Sequence, residues 1–228
     1  MKLKKLVLLS SLLIGLSPQI QAQMKGTAHD FTGYRRSAYN PSGEVCIVCH
    51  APHNTSTTST PLWNHTTTAQ TFTAYGANGS GFNIHFTPGQ PDGSSKMCLS
   101  CHDGITAANS YGVNGGSPAL QDSITLATGG ATAPRTSLIS RSNLTTDLTN
   151  DHPISFVYTE ALASNPKLRD TAFVTALGHS IGKDMLDKNG KIQCASCHDP
   201  HGNDQGWNST YLKFSNANSA MCLTCHIK

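Results

Sequence analysis

The octapeptide CASCHDPH, Cys194 to His201, sets two cysteines two residues apart, a histidine directly after the second, and another histidine three residues on. CxxCH is the attachment signature of c-type haem. Within one helical turn both sulfurs project to one side, where each can form a thioether to one porphyrin, and the following imidazole points at the iron. The signature recurs as CIVCH (Cys46 to His50), CLSCH (Cys98 to His102) and CLTCH (Cys222 to His226), so that the four motifs use all eight cysteines. Zinc ribbons also use paired cysteines, and exported chains use disulfides. Neither gives a reason for a histidine after every second cysteine. The sequence therefore predicts four covalent haems. Their attachment residues are Cys46, Cys49, Cys98, Cys101, Cys194, Cys197, Cys222 and Cys225, and their proximal ligands are His50, His102, His198 and His226.

Residues 1–22 read as a secretory signal: Lys2, Lys4 and Lys5 precede the apolar run Leu6 to Leu16, and Ile20-Gln21-Ala22 resembles a cleavage site. The alternative is an uncleaved anchor. No other stretch is long and apolar enough to span a bilayer, so the mature chain is expected to be exported. Removing those three lysines lowers Lys+Arg from 16 to 13, matching the 13 acids. Haem propionates then make the holoprotein acidic, and a nucleic-acid role has no basic patch to rest on.

Charged residues are only 13% of the chain, about half the usual quarter, and the apolar residues show little sustained period. The expected fold is mostly irregular and loop-rich, with short helices, few short strands and the haems as core. CxxCHxPH followed by MCL[ST]CH occurs twice, with Cys46 and Cys98 52 positions apart and Cys194 and Cys222 28 apart. This predicts a single tetrahaem domain over 23–228, built from haem-pair halves at about 23–130 and 131–228. Single helical turns should carry the motifs, with a short helix over Leu168 to Leu177. Short strands are expected at Thr71 to Tyr75, Ile154 to Tyr158 and Tyr211 to Phe214, and a hairpin turn at Asp187 to Gly190. Thr55 to Thr60 and Ala107 to Arg135 read as loop.

Eleven histidines leave seven beyond the four proximal ones. Met97 and Met221 directly precede a CxxCH and cannot cross to the far face of that haem. The excess of histidine therefore favours bis-histidine iron. His53 and His201 follow a proximal histidine by three residues, which span at most roughly 10 Å; neither can close its own haem, and each must reach a neighbouring one. His201, His53 and His152 rank first as distal ligands, then His29 and His65, then His179, a rival to His152. His85 reads as a surface or propionate-contacting residue.

HDF (His29 to Phe31), CHAPHN, PLWNH (Pro61 to His65), MCLSCHDG, NDHPISF (Asn150 to Phe156), CASCHDPHG and MCLTCH resemble the doubled-CxxCH tetrahaem cytochromes over nearly the whole mature chain. The resemblance is to outer-surface members that polymerise into extracellular nanowires. It implies a loop-rich subunit, four bis-histidine haems in alternating stacked and T-shaped contacts, and a haem row that continues through a homopolymer. It also implies a histidine that ligates a haem of the next subunit, for which His53 is the candidate. The expected function is electron conduction without catalysis, toward redox partner cytochromes and extracellular acceptors. A monomeric periplasmic shuttle and a small-oxyanion reductase with one open haem are the rivals.

Overall fold

The computed structural model describes residues 24–32, 43–53, 62–77, 86, 88–106, 110–112, 142–202 and 211–227. The signal at 1–22, the tract Thr55 to Thr60, His85 and most of Ala107 to Arg135 lie outside them. Regular elements are few and short. In chain order they are α1 (Gly93–His102), β1 (Phe156–Val157), α2 (Tyr158–Ser164), α3 (Ile181–Asp184), β2 (Lys191–Ile192), α4 (Cys194–Cys197) and α5 (Ala220–Cys225), with a 3-10 turn at Ala217–Ser219 before α5. Loop-rich architecture with short helices is as expected.

The motifs form single turns because each histidine amide closes back on the carbonyl of the first cysteine. His50 donates to Cys46 at 2.8 Å, His198 to Cys194 at 3.1 Å and His226 to Cys222 at 2.9 Å. Only the second motif ends a longer helix, α1, which runs on from Gly93. There Ser100 Oγ donates to the Lys96 carbonyl at 2.7 Å, as Thr224 Oγ1 does to Ala220 at 3.0 Å in α5. The [ST] position of MCL[ST]CH thus has one job in both halves.

No helix covers Leu168 to Leu177. The chain there makes turns, with Phe173 bonded to Asp170 and Gly178 to Thr175. The helix forms earlier, at α2, whose Tyr158 and Ala161 are buried; burial on this face outweighs the modest local propensity of 168–177. Of the expected strands, 154–158 survives as β1, paired antiparallel with β2 as Phe156↔Ile192 and Val157↔Lys191. Thr73 and Leu212 make only isolated bridges, to Asp147 and His198. The turn at Asp187 to Gly190 forms: the Gly190 amide donates to the Asp187 carbonyl at 2.9 Å, and Gly190 carries a φ of 71°. Its strand pairs with β1, thirty-odd residues upstream, rather than with the chain entering the turn.

Two small apolar clusters are present among the described residues. Tyr158, Ile181, Met185 and Ile192 form one, and Phe72, Leu99 and Leu148 the other. Each fully buried side chain contributes about 1.5–3 kcal/mol. No helix among the described residues is long and apolar enough to cross a membrane.

The internal repeat extends past the motifs. After the first, the Ala51 amide donates to Leu62 (3.1 Å) and the Asn64 amide to Cys49 (2.9 Å). After the third, the Asp199 amide donates to Tyr211 (2.7 Å) and the Lys213 amide to Cys197 (2.9 Å). His50 bridges Trp63 as His198 bridges Leu212. This register aligns His65 with Phe214, a correspondence the residue types do not reveal.

Candidate haem sites

Burial pushes the Cys101 thiol up, with a further push from Cys49 of the first motif. The Cys98 and Cys194 thiols shift one another in opposite directions, Cys194 down and Cys98 up. Burial and then Cys225 raise Cys197 to about 11. The second cysteines of each half thus act on one another's titration, as do Cys98 and Cys194 across the halves. Cys46 and Cys222 are exposed. These thiols stand in for thioether sulfurs once porphyrin is attached.

A metal held at about 2 Å by two imidazoles separates their ring centroids by roughly 6 Å. Three histidine pairs have that spacing: His29–His102 at 6.2 Å, His50–His201 at 6.0 Å and His152–His226 at 6.4 Å. The ring planes cross at 72°, 23° and 76°. Each pair joins a proximal histidine to a residue the sequence ranked as a distal ligand. His29 and His152, each upstream of the first motif of its half, both face the last motif of that half.

Local bonds fix these rings. His102 Nδ1 lies 2.7 Å from the Ser142 carbonyl, His152 Nδ1 2.9 Å from Pro153 and His29 Nδ1 3.4 Å from Pro200. An Nδ1–H bonded to a carbonyl leaves the Nε2 lone pair for a metal. His29 also stacks on Tyr211 at 4.5 Å, and its amide donates to the Tyr211 hydroxyl at 2.8 Å. Tyr211 and Pro200 belong to the second half, so the two halves interlock. Burial lowers the His102 pKa, with His198 adding to the effect against the Ser142 bond. Burial, then His152, lowers that of His226. Both imidazoles are held neutral, the form that donates a lone pair.

Asp103 follows His102 and is 1% exposed. Its carboxylate accepts from the Thr68 and Thr106 hydroxyls (2.7 and 2.6 Å) and from the Ile105 and Thr106 amides (2.8 and 2.7 Å). Burial pushes this carboxyl up, but the four donors outweigh it and hold it below the usual value. Gly104 has a φ of +72°, and a Cβ there would collide with the Asn143 side chain, which explains the DG of MCLSCHDG.

Other sequence candidates sit differently. His53 is exposed. His65 is fully buried, with Nδ1 2.8 Å from the Thr66 carbonyl and Nε2 3.4 Å from Cys101 Sγ. His179 is 51% exposed and pairs with Asp184 at 3.1 Å, apart from the ring pairs above. Met185 is buried in the first apolar cluster. Trp63 precedes His65 by two residues in PLWNH. Its ring lies edge-on to His50 at 6.3 Å, and its buried Nε1 has no hydrogen-bond partner, a donor that a bound group beside His50 would have to satisfy.

Paired sulfurs, imidazole pairs at iron-spanning distance and an orphaned donor all fit c-type haem. A family model described as the doubled CXXCH motif matches residues 188–228, which hold the third and fourth motifs. This segment carries the attachment pattern of multihaem c-type cytochromes and supports covalently bound haem. No curated protein matches the chain.

Proposed function

We propose that the protein is a tetrahaem c-type cytochrome that conducts electrons along a continuous haem row and performs no catalysis. The observation that carries this reading is the set of three histidine pairs at 6.0, 6.2 and 6.4 Å. Bound haem would supply one-electron redox chemistry. The chain's residues supply attachment, axial ligands and spacing. In this assignment His201 serves the first haem, His29 the second and His152 the fourth. Those three irons would then offer no open position to an oxyanion, and the iron of the third haem, that of His198, needs a sixth ligand from another copy to close it.

Repeat symmetry supports a homopolymer. His201 of the third motif faces His50 of the first, so the equivalent step carries His53 of one copy to the third haem, that of His198, in another. Likewise, the Cys98–Cys194 junction within the chain has its counterpart between Cys222 of one copy and Cys46 of the next, and both are exposed. His65 aligns with Phe214 and is then the extra histidine. The filament would stand outside the cell and pass electrons to partner cytochromes or extracellular acceptors. A monomeric periplasmic shuttle with the same haems is the second reading. Negative-stain microscopy of sheared cell-surface material decides between them: filaments of this chain support the polymer, and a uniformly monomeric exported protein supports the shuttle.

A further inference from the structure

Each CxxCH needs two sulfurs and a histidine, and nothing in haem attachment dictates the residue before the first cysteine. In three motifs that residue is apolar: Val45, Met97 and Met221. In the third it is Gln193, which is 2% exposed. Burying an amide is unfavourable unless it is hydrogen-bonded, and this one is saturated. Its Oε1 accepts from Ser95 Oγ at 2.6 Å and from Ser155 Oγ at 3.0 Å. Its Nε2 donates to Asp92 Oδ1 at 2.8 Å and to Asp187 Oδ2 at 3.0 Å. Two acceptor and two donor positions are all an amide offers.

The partners come from separate pieces of chain. Asp92 and Ser95 belong to the start of α1, Ser155 precedes β1, and Asp187 opens the turn before β2. Ser95 Oγ also accepts the Cys194 amide at 2.9 Å, and Lys191 Nζ reaches Asp92 at 2.5 Å. Gly93 is fitted to the same group: a Cβ there would stand 3.0 Å from Gln193 Nε2. On the motif side, the Gln193 backbone amide donates to Ser196 Oγ at 2.8 Å and the Ser196 amide to the Gln193 carbonyl at 2.9 Å, capping α4. The clamp therefore grips both attachment turns where Cys98 meets Cys194, the crossing from one half to the other.

We infer that Gln193 is a positioning residue that fixes the contact between the second and third haems, and with it the electron's passage between the halves. This rests on reading the motifs as haem sites. Electron hopping falls steeply with the gap between porphyrin edges, so a rigid joint is needed there. A buried, fully satisfied polar network specifies one arrangement where apolar packing tolerates several.

The test uses the exported holoprotein. Gln193→Leu keeps comparable volume and removes all four side-chain bonds. It should retain four haems by intact mass and low-spin iron, but lose one component of the Soret circular-dichroism couplet that haem–haem contact generates. Gln90→Leu is the control: it removes two bonds to the Phe72 backbone (2.8 and 2.9 Å), neither of them to a residue of the clamp, and should leave the couplet intact. A Gln193→Leu protein with four haems and an unchanged couplet overturns the inference, as does equal loss in the control. If Gln193→Leu does not accumulate, Ser155→Ala, which removes a single Gln193 bond, should weaken the same component, and an unchanged spectrum overturns the proposal. Wild-type protein lacking four haems would overturn the haem reading beneath it.

Discussion

Leu62 and Tyr211 share one backbone conformation, each with a φ of 54°. Both carbonyls accept the amide of the residue directly after a proximal histidine. Left-handed backbone costs a side-chain-bearing residue about 1–2 kcal/mol, so its presence at both equivalent points marks a joint that the fold requires. Leu62 is 56% exposed and packs little. Leu62→Gly relieves the strain at the cost of chain entropy, and should change unfolding free energy by less than about 1 kcal/mol. Ala51→Pro removes the amide that holds the joint and should destabilise by more. Parallel denaturant titrations compare the two.

The exported protein should carry four covalent haems. Intact mass must exceed that of the chain by four haem masses, and replacing both cysteines of any one motif should remove one. A mass accounted for by disulfides or zinc would end the reading.

His29→Ala, His152→Ala and His201→Ala should each convert one haem to high spin, read by electron paramagnetic resonance. His65→Ala and His179→Ala should leave all four low-spin. A high-spin signal in His65→Ala would move that residue from packing to ligation.

His53→Ala should yield monomers with one altered haem per chain, while His201→Ala alters a haem within the chain. Normal filaments with four low-spin haems in the His53 variant would exclude the bridge between copies.

Asp103 contributes through a carboxyl held below its usual value. A depressed folded value means that its stabilisation is complete above the unfolded carboxyl value, about 3.9. It is lost as pH falls through the folded one. Asp103→Asn keeps one oxygen for the Ile105 and Thr106 amides but sets an NH2 against the Thr68 and Thr106 hydroxyls, which must turn from donors to acceptors, and should cost about 1–3 kcal/mol at neutral pH. It should also flatten the acid limb of the stability profile. Equal acid sensitivity in both proteins would remove Asp103 from that role.

Leu99→Ala empties the buried end of the second cluster beside Cys98 and should cost about 2–5 kcal/mol. A smaller loss, by denaturant midpoint, would mean that this cluster is held by other contacts.

CxxCHxPH and MCL[ST]CH marked the candidate attachment points, the two-fold repeat and the loop-rich character by themselves, because thioether and axial chemistry would demand those residues at those spacings within a single turn. The reach argument for His201 was legible for the same reason: three residues cannot straddle a porphyrin. Which spare histidine faces which motif was not legible. His29 meets His102 through Tyr211 and Pro200, residues far along the chain that no local pattern ties to it. The alignment of His65 with Phe214 lives in backbone hydrogen bonds, which carry no residue signature. The helix expected over Leu168 to Leu177 gave way to Tyr158–Ser164 because burial against Ile181, Met185 and Ile192, not intrinsic propensity, selects so short a helix. The Gln193 clamp needed four segments brought together before its single amide had anything to hold, and only the tertiary structure could do that.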